Sequence, residues 1–499
     1  MKKLLLSALM CCIALVASAQ VERPKLVVGL VVDQMRWDYM YYYYDKYGEG
    51  GMKRLMNEGF SCDNHMINYL PTVTGVGHAA IYTGAGPATN GIAANDFHKE
   101  GKRIYCCDDP TVEGVGTKSK AGKMSPRNML GSTIGDMLRQ STGFKSKVIG
   151  VAIKDRAAIL PAGHTANAAY WYDKSVGGFI TSTYYMDKLP DWVKAFNKKN
   201  GMKPGYDPKV HPDGVTATFR MAEAALEAEK LGQNGGTDML CVSISPTDAI
   251  SHNTGTWLSP GKENEEVFLT LDRDMKTFFE ALDRQVGKGN YLLFLTADHG
   301  GTHNPNTMAA NKLPGGSWDS AATVKMLNEK LAAKYGVEGK VVNDRIGDQL
   351  YVNLPLLEQN NIKADDVKDF IVAELKKDTE QFPFVVDNEK AAYAPVPKWI
   401  RERIINGYYR GRSGDITVIT RPDYYNWQVA KDDFGSTHGA WYPSDTHIPL
   451  VFMGWHIQHG YTNKQTFMVD AAPTVCAMLH IQMPSAATGN PIVEVTDRK

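Results

Sequence analysis

Five short apolar runs recur along this 499-residue chain, at 25–33, 147–153, 239–245, 291–296 and 448–453. None alternates polar with apolar residues, so each predicts a strand covered on both faces. Amphipathic stretches with helical spacing separate them, at 131–140, 215–231, 265–286 and 471–479. Strands alternating with helices predict an α/β fold, a three-layer α/β/α sandwich on a mostly parallel central sheet. Pro449 removes a ladder donor from the fifth run and predicts a strand nearer an edge than the others. Two regions break the alternation. Residues 165–210 are rich in Tyr and Trp without clear periodicity, and 303–435 holds helices and strands of its own. Both read as insertions on a single domain spanning 20–499, because candidate site residues flank them on both sides.

The first nineteen residues read as a signal peptide. Lys2 and Lys3 precede an apolar run from Leu4 to Ser18, and Ala17-Ser18-Ala19 supplies the small-x-small cleavage pattern before Gln20. The mature chain is therefore expected in the periplasm or outside the cell. Ala8-Leu9-Met10 before Cys11 make a poor lipoprotein signal, and no later stretch reaches the roughly 18 apolar residues of a membrane span. No membrane anchor is expected after cleavage. Cleavage removes two of the 55 basic residues and none of the 55 acidic ones, leaving 53 against 55, a net charge of −2. That balance offers no basic face to nucleic acid, and a monomer acting on small molecules is expected. Five cysteines remain: Cys62, Cys106, Cys107, Cys241 and Cys476. They are too sparse for a disulfide framework and contain no CxxC pair.

Reactive side chains collect where the strands end, the place where open α/β sheets bind ligands. Asp33 closes the first run and Asp248 follows the third. Asp298-His299 closes the fourth in Thr-Ala-Asp-His-Gly-Gly, and His438 lies in Ser-Thr-His-Gly before the fifth. One acid at a strand end is usually a turn or cap residue; the conjunction points to metal. Asp248 and His252 are spaced i, i+4 and share a helix face. Asp298 and His299 are adjacent, so they must lie beyond the pleat, where Gly300-Gly301 lets the backbone turn both inward. Zinc accepts His nitrogen and carboxylate oxygen in tetrahedral sites. The six residues divide into Asp248, His252 and His438, and Asp33, Asp298 and His299 with a position open to a nucleophile. His447 is the rival to His438, and His78 reads as packed or supporting the ligands. The candidate nucleophile is Thr74 in Pro71-Thr-Val-Thr-Gly-Val-Gly-His. At a helix start its hydroxyl would face unpaired N–H groups that suit phosphate, although plain N-capping gives the same pattern.

Together these motifs resemble the alkaline phosphatase superfamily, most closely its PafA-type, phosphate-irrepressible members. The residues that carry the resemblance are Val-Val-Asp33, Pro-Thr-Val-Thr74, Ala94-Asn95-Asp, Ile-Lys154-Asp-Arg156, Asp248-x-x-x-His252, Thr-Ala-Asp298-His299-Gly-Gly and Thr-His438-Gly, in that order. The likeness implies two Zn²⁺ per chain. Asp248, His252 and His438 would hold one; Asp33, Asp298, His299 and Thr74 would hold the other. It also implies a phosphothreonine intermediate on Thr74 and phosphate contacts from Asn95, Lys154 and Arg156.

A charge count refines the substrate. Two Zn²⁺ offset the three Asp carboxylates and a Thr74 alkoxide. Lys154 and Arg156, two apart on an extended segment and so on one face, then match the dianion of a phosphate monoester. The expected activity is phosphate monoester hydrolysis, with a phosphodiesterase or nucleotide pyrophosphatase on the same zinc site as the alternative. A sulfatase would need Cys or Ser in a C/S-x-P-x-R setting, and no such segment occurs.

Overall fold

The computed structural model describes residues 21–497. The proposed signal peptide, with Cys11 and Cys12, lies outside the described residues. Ten strands form the main sheet: β1 (Leu26–Val32), β2 (Phe60–Cys62), β3 (Gly114–Val115), β4 (Val148–Ala152), β5 (Ala168–Asp173), β6 (Gly178–Ser182), β7 (Asp238–Ile244), β8 (Tyr291–Thr296), β9 (Leu450–Gly454) and β10 (Gly460–Thr462). Their spatial order is β10-β2-β9-β8-β1-β7-β4-β5-β6-β3. β1 pairs in parallel with β7 and β8, and β7 with β4. Every residue of these four strands is buried, as uninterrupted apolar runs require.

Seven helices cover the sheet or flank its strand ends: α1 (Thr74–Thr83), α2 (Ile134–Ser141), α3 (Asp155–Ala162), α4 (Asp213–Ala228), α5 (Pro246–Thr254), α6 (Glu263–Gln285) and α7 (Ala471–Leu479). α1, α2, α3 and α7 pack with one another on one face, and α4 with α6 on the other. The result is the expected three-layer α/β/α sandwich.

β9 stands third from one end of the sheet, nearer an edge than the other four predicted strands. It pairs antiparallel with both β8 and β2, and β10 lies outside β2. Pro449 precedes the strand's first residue and so costs no ladder donor. Its carbonyl accepts from Thr296 Oγ1 at 2.7 Å. The aromatic stretch after residue 165 also joins the sheet, with β5 parallel to β4 and β6 returning antiparallel. All residues of β5 are buried, which removes the alternation a half-exposed strand would show.

Within 303–435 a second, antiparallel sheet forms from Val342–Ile346, Gln349–Val352, Ile416–Ile419 and Phe384–Asp387. Leu327, Leu331, Val367, Ile371, Ile416 and Val418 belong to an apolar cluster of its own. No helix among the described residues is long and apolar enough to cross a membrane. The five described cysteines are buried and free.

Candidate active site

β1, β7 and β8 end side by side, and the residues just beyond them converge. Asp248 and His252 sit one turn apart on α5, with His252 Nε2 3.1 Å from Asp248 Oδ1. His438 comes from a loop clipped beside the end of β8, where the Thr302 N–H donates to the Thr437 carbonyl at 2.7 Å. Its Nε2 lies 3.4 Å from the same Asp248 oxygen. Nε2 of His299 is 3.4 Å from Asp298 Oδ2, 3.6 Å from Asp33 Oδ1 and 3.4 Å from Thr74 Oγ1. Two groups stand close enough to hold an ion: Asp248 with His252 and His438, and Asp33 with Asp248 and His299. Asp248 therefore faces both groups, which its sequence spacing did not indicate. Asp298 reaches the second group beside His299.

The donor chemistry fits cations. Each of the three imidazoles has Nδ1 on a backbone carbonyl: His252 on Ser436 at 2.8 Å, His299 on Gly300 at 2.9 Å and His438 on Thr72 at 2.7 Å. A carbonyl can only accept, so the proton sits on Nδ1 and a neutral ring presents a bare lone pair at Nε2. Two such lone pairs then face Asp248 Oδ1, and a proton or a metal ion must lie between them. Oδ1 of Asp33, Oδ1 of Asp248 and Oδ2 of Asp298 are buried without a hydrogen-bond partner, a desolvation cost that a bound cation removes. Nδ1 of His78 comes within 3.3 Å of Asp298 Oδ2, but it sits closer to the Thr74 carbonyl, at 2.8 Å. That carbonyl takes the proton and leaves the carboxylate lone pair free.

The electrostatics agree. Burial, with Asp248 and Asp298 beside it, pushes Asp33 well above the ordinary carboxylate range. Burial acts on Asp248 in the same sense, but Lys154, and His252 when the proton between it and Asp248 sits on its Nε2, hold it well below that range. Nζ of Lys154 stands 2.7 Å from Asp33 Oδ2 and 2.5 Å from Asp248 Oδ2, a positive charge drawn between the two acids. Burial takes the His299 pKa down to about 3, which keeps the ring a neutral ligand.

Thr74 is the first residue of α1 and is 1% exposed. The N-cap is Val73 and no side chain caps the helix, so Thr74 does not serve as a cap. The Gly75 N–H donates to Asn95 Oδ1 at 2.7 Å. That bond occupies the amide oxygen and leaves the Asn95 NH₂ as a donor. Lys154 and Arg156 do not share an extended segment. Lys154 is the N-cap of α3, at φ −76° and ψ 132°, and Arg156 is its second residue. Both reach the site from one helix end, and a Cβ on Gly75 would lie 3.7 Å from Arg156 Cδ.

His447 turns away from this cluster; its Nε2 bonds the Asp63 carbonyl at 2.8 Å and its ring stacks on Trp37. Gly300 and Gly301 have no positive φ. Gly300 serves close approach instead, since a Cβ there would meet the Ser444 carbonyl oxygen at 2.1 Å.

Gly77 is the residue the sequence did not single out. A Cβ there would sit 2.1 Å from the Asp298 carbonyl oxygen, so α1 rests directly on the backbone that presents Asp298. Its only signal was a glycine inside a helical run. Gly77→Ala is expected to cost about 1–3 kcal/mol of stability by overpacking. Displacing Thr74 from its neighbours should also lower turnover about tenfold or more. Thermal melting and steady-state kinetics on one preparation check both, and an alanine variant with unchanged values would contradict this packing.

The fold and this geometry define a class, the metal-dependent hydrolases of the alkaline phosphatase superfamily. The chain belongs to the type I phosphodiesterase / nucleotide pyrophosphatase family, whose sequence profile matches residues 27–441. A Myroides odoratus protein named calcium-transporting ATPase is 46% identical, with 98% of each chain covered. Alkaline phosphatase PafA of Elizabethkingia meningoseptica is 42% identical over 96% of this chain and 95% of that one. Alkaline phosphatase PhoV of Synechococcus elongatus is 41% identical over 95% and 93%. The crystal structure of wild-type PafA superposes with a TM-score of 0.91 at 41% identity, covering 96% of this chain and 100% of that one.

Proposed function

We propose that this chain is an alkaline phosphatase that hydrolyses phosphate monoesters through a phosphothreonine intermediate on Thr74. Two Zn²⁺ are assigned, one to Asp248, His252 and His438, the other to Asp33, Asp298, His299 and Thr74. The observation that carries the reading is the set of bare imidazole Nε2 atoms and orphaned carboxylate oxygens gathered beside the Thr74 hydroxyl. When bound, the ions would neutralise charge on the transferring group and ease deprotonation of a hydroxyl or a water.

The chain's own residues do the rest. Thr74 Oγ1, its proton lost to solvent, forms a bond to phosphorus as the bond to the ester oxygen breaks, and that oxygen takes up a proton from solvent and departs as the alcohol. The positive end of α1 and the Asn95 NH₂ face the phosphoryl oxygens, and Arg156 grips them. Water then attacks the Thr74 phosphoester, releases inorganic phosphate and restores the hydroxyl.

The charge balance selects monoesters. With two divalent ions offsetting three carboxylates and an ionised Thr74, Lys154 and Arg156 match a dianion better than the single charge of a diester. The names of PafA and PhoV agree with this choice. The terminal phosphoryl group of ATP carries similar charge, so a relative named for ATPase activity is compatible with the same site. The proposed setting is the periplasm or exterior, with a monomer acting on small phosphate esters and bound neither to membrane nor to nucleic acid.

Turnover of p-nitrophenyl phosphate and of its bis ester on one preparation tests the reading. The monoester should be preferred, and Arg156→Ala should reduce that preference about a hundredfold. A wild-type enzyme that prefers the diester would sink the monoesterase assignment.

A further inference from the structure

Arg156 is held on one side only. The structure gives its guanidinium a single hydrogen bond, from Nη1 to the Tyr105 hydroxyl at 3.1 Å. Nε is buried without a partner. Nε and Nη2 share the edge away from that bond, two parallel donors spaced for two oxygens of one phosphate. Tyr105 donates in turn to Asp155 Oδ1 at 2.5 Å, and the same oxygen accepts the Arg156 backbone N–H at 2.6 Å. With its proton on Asp155, the Tyr105 hydroxyl turns a lone pair to Nη1. Burial pushes this phenol far above its ordinary range, so it stays a neutral hydroxyl.

Tyr105 ends a hairpin formed by Asp96–Lys99 and Lys102–Tyr105, whose first strand begins directly after Asn95. The Cys106 N–H donates to the Asn95 carbonyl at 2.8 Å, closing the base of the hairpin. Asn95 and Tyr105 therefore move as one unit. Away from the site, Asp344 of the second sheet accepts from His98 at 2.9 Å and from Arg103 at 3.3 Å. The His98 ring also stacks on Tyr351 at 4.2 Å. The insertion thus pins the hairpin from behind.

We propose that Tyr105 is a positioning residue for phosphate recognition: its hydroxyl holds Nη1 of Arg156 so that the free Nε/Nη2 edge is presented to the phosphoryl group. The inference rests on the reading of Arg156 as a phosphate contact.

A double-mutant cycle on the metal-loaded enzyme tests it, with Tyr105→Phe, Arg156→Ala and both together. The probes are p-nitrophenyl phosphate, its bis ester, and inorganic phosphate as inhibitor. Tyr105→Phe removes one hydroxyl and is expected to lower monoester kcat/KM by about ten- to a hundredfold. Inhibition by phosphate should weaken by a similar factor, and the monoester-to-diester preference should fall in step. In the Arg156→Ala background the same substitution should matter by less than about threefold. Asp155→Asn, which weakens the anchor of the same hydroxyl, should give a smaller loss in the same direction. Equal losses in both backgrounds, or losses shared equally by monoester and diester, would reveal a general packing role. That result overturns the inference while leaving Arg156 in place. If Arg156→Ala itself keeps wild-type monoester turnover, the assignment of Arg156 fails, and the inference fails with it.

Discussion

Thr74→Ala is expected to lose monoester turnover by at least about three orders of magnitude, because it removes the only atom assigned to attack phosphorus. Little else should change. Thr74 is buried at the first turn of α1, caps nothing, and its hydroxyl meets His299 Nε2 at 3.4 Å. Its removal leaves a small cavity and takes one of the four assigned ligands from the second ion; Asp33, Asp298 and His299 remain, so the fold and most of the metal content should survive. Thr74→Ser keeps the oxygen and should recover most of the activity. Acid quench during turnover, followed by intact-mass analysis, should show a phosphoryl adduct on wild type and none on Thr74→Ala. Wild-type-like turnover in the alanine variant would end the proposal.

Stripping the metal is the second large effect. Treatment with a chelator is expected to bring turnover to background and lower the thermal midpoint by several degrees. The physical reason is a set of like partners packed together. The Nε2 atoms of His252 and His438 lie 3.1 and 3.4 Å from Asp248 Oδ1, and buried oxygens of Asp33, Asp248 and Asp298 lack partners. Lys154, between Asp33 and Asp248, compensates only part of that charge. Adding Zn²⁺ back should restore activity and midpoint together, with two ions per chain by elemental analysis. Full activity after complete stripping would refute a metal role.

Much of this was legible from local pattern. The runs at 239–245 and 291–296 read as strands buried on both faces, and β7 and β8 match them closely. The i, i+4 spacing of Asp248 and His252 placed them on one helix face, as α5 does. Other features depended on partners that pattern does not encode. Pro449 suggested a strand nearer an edge, which β9 is, but not that β2 and β10 would extend the sheet beyond it. Lys154 and Arg156 suggested an extended segment, yet α3 starts between them. A short run of polar and charged residues carries no period to distinguish the two.

By itself the sequence determined the layered α/β class, the strand ends at which ligands gather, and the residue types able to bind metal and phosphate. These follow from uninterrupted apolar runs, from the 3.6-residue helical spacing and from side-chain chemistry, all local properties. Only the tertiary structure decided that Asp248 faces both ion groups, and that Nε2 is the open nitrogen on His252, His299 and His438. It also decided that the Tyr105 hydroxyl lies between Arg156 Nη1 and Asp155 Oδ1. The carbonyls that orient His252 and His438 belong to Ser436 and Thr72, 184 and 366 positions away. Strand register and loop closure bring them there, and those emerge only when the whole sheet is assembled.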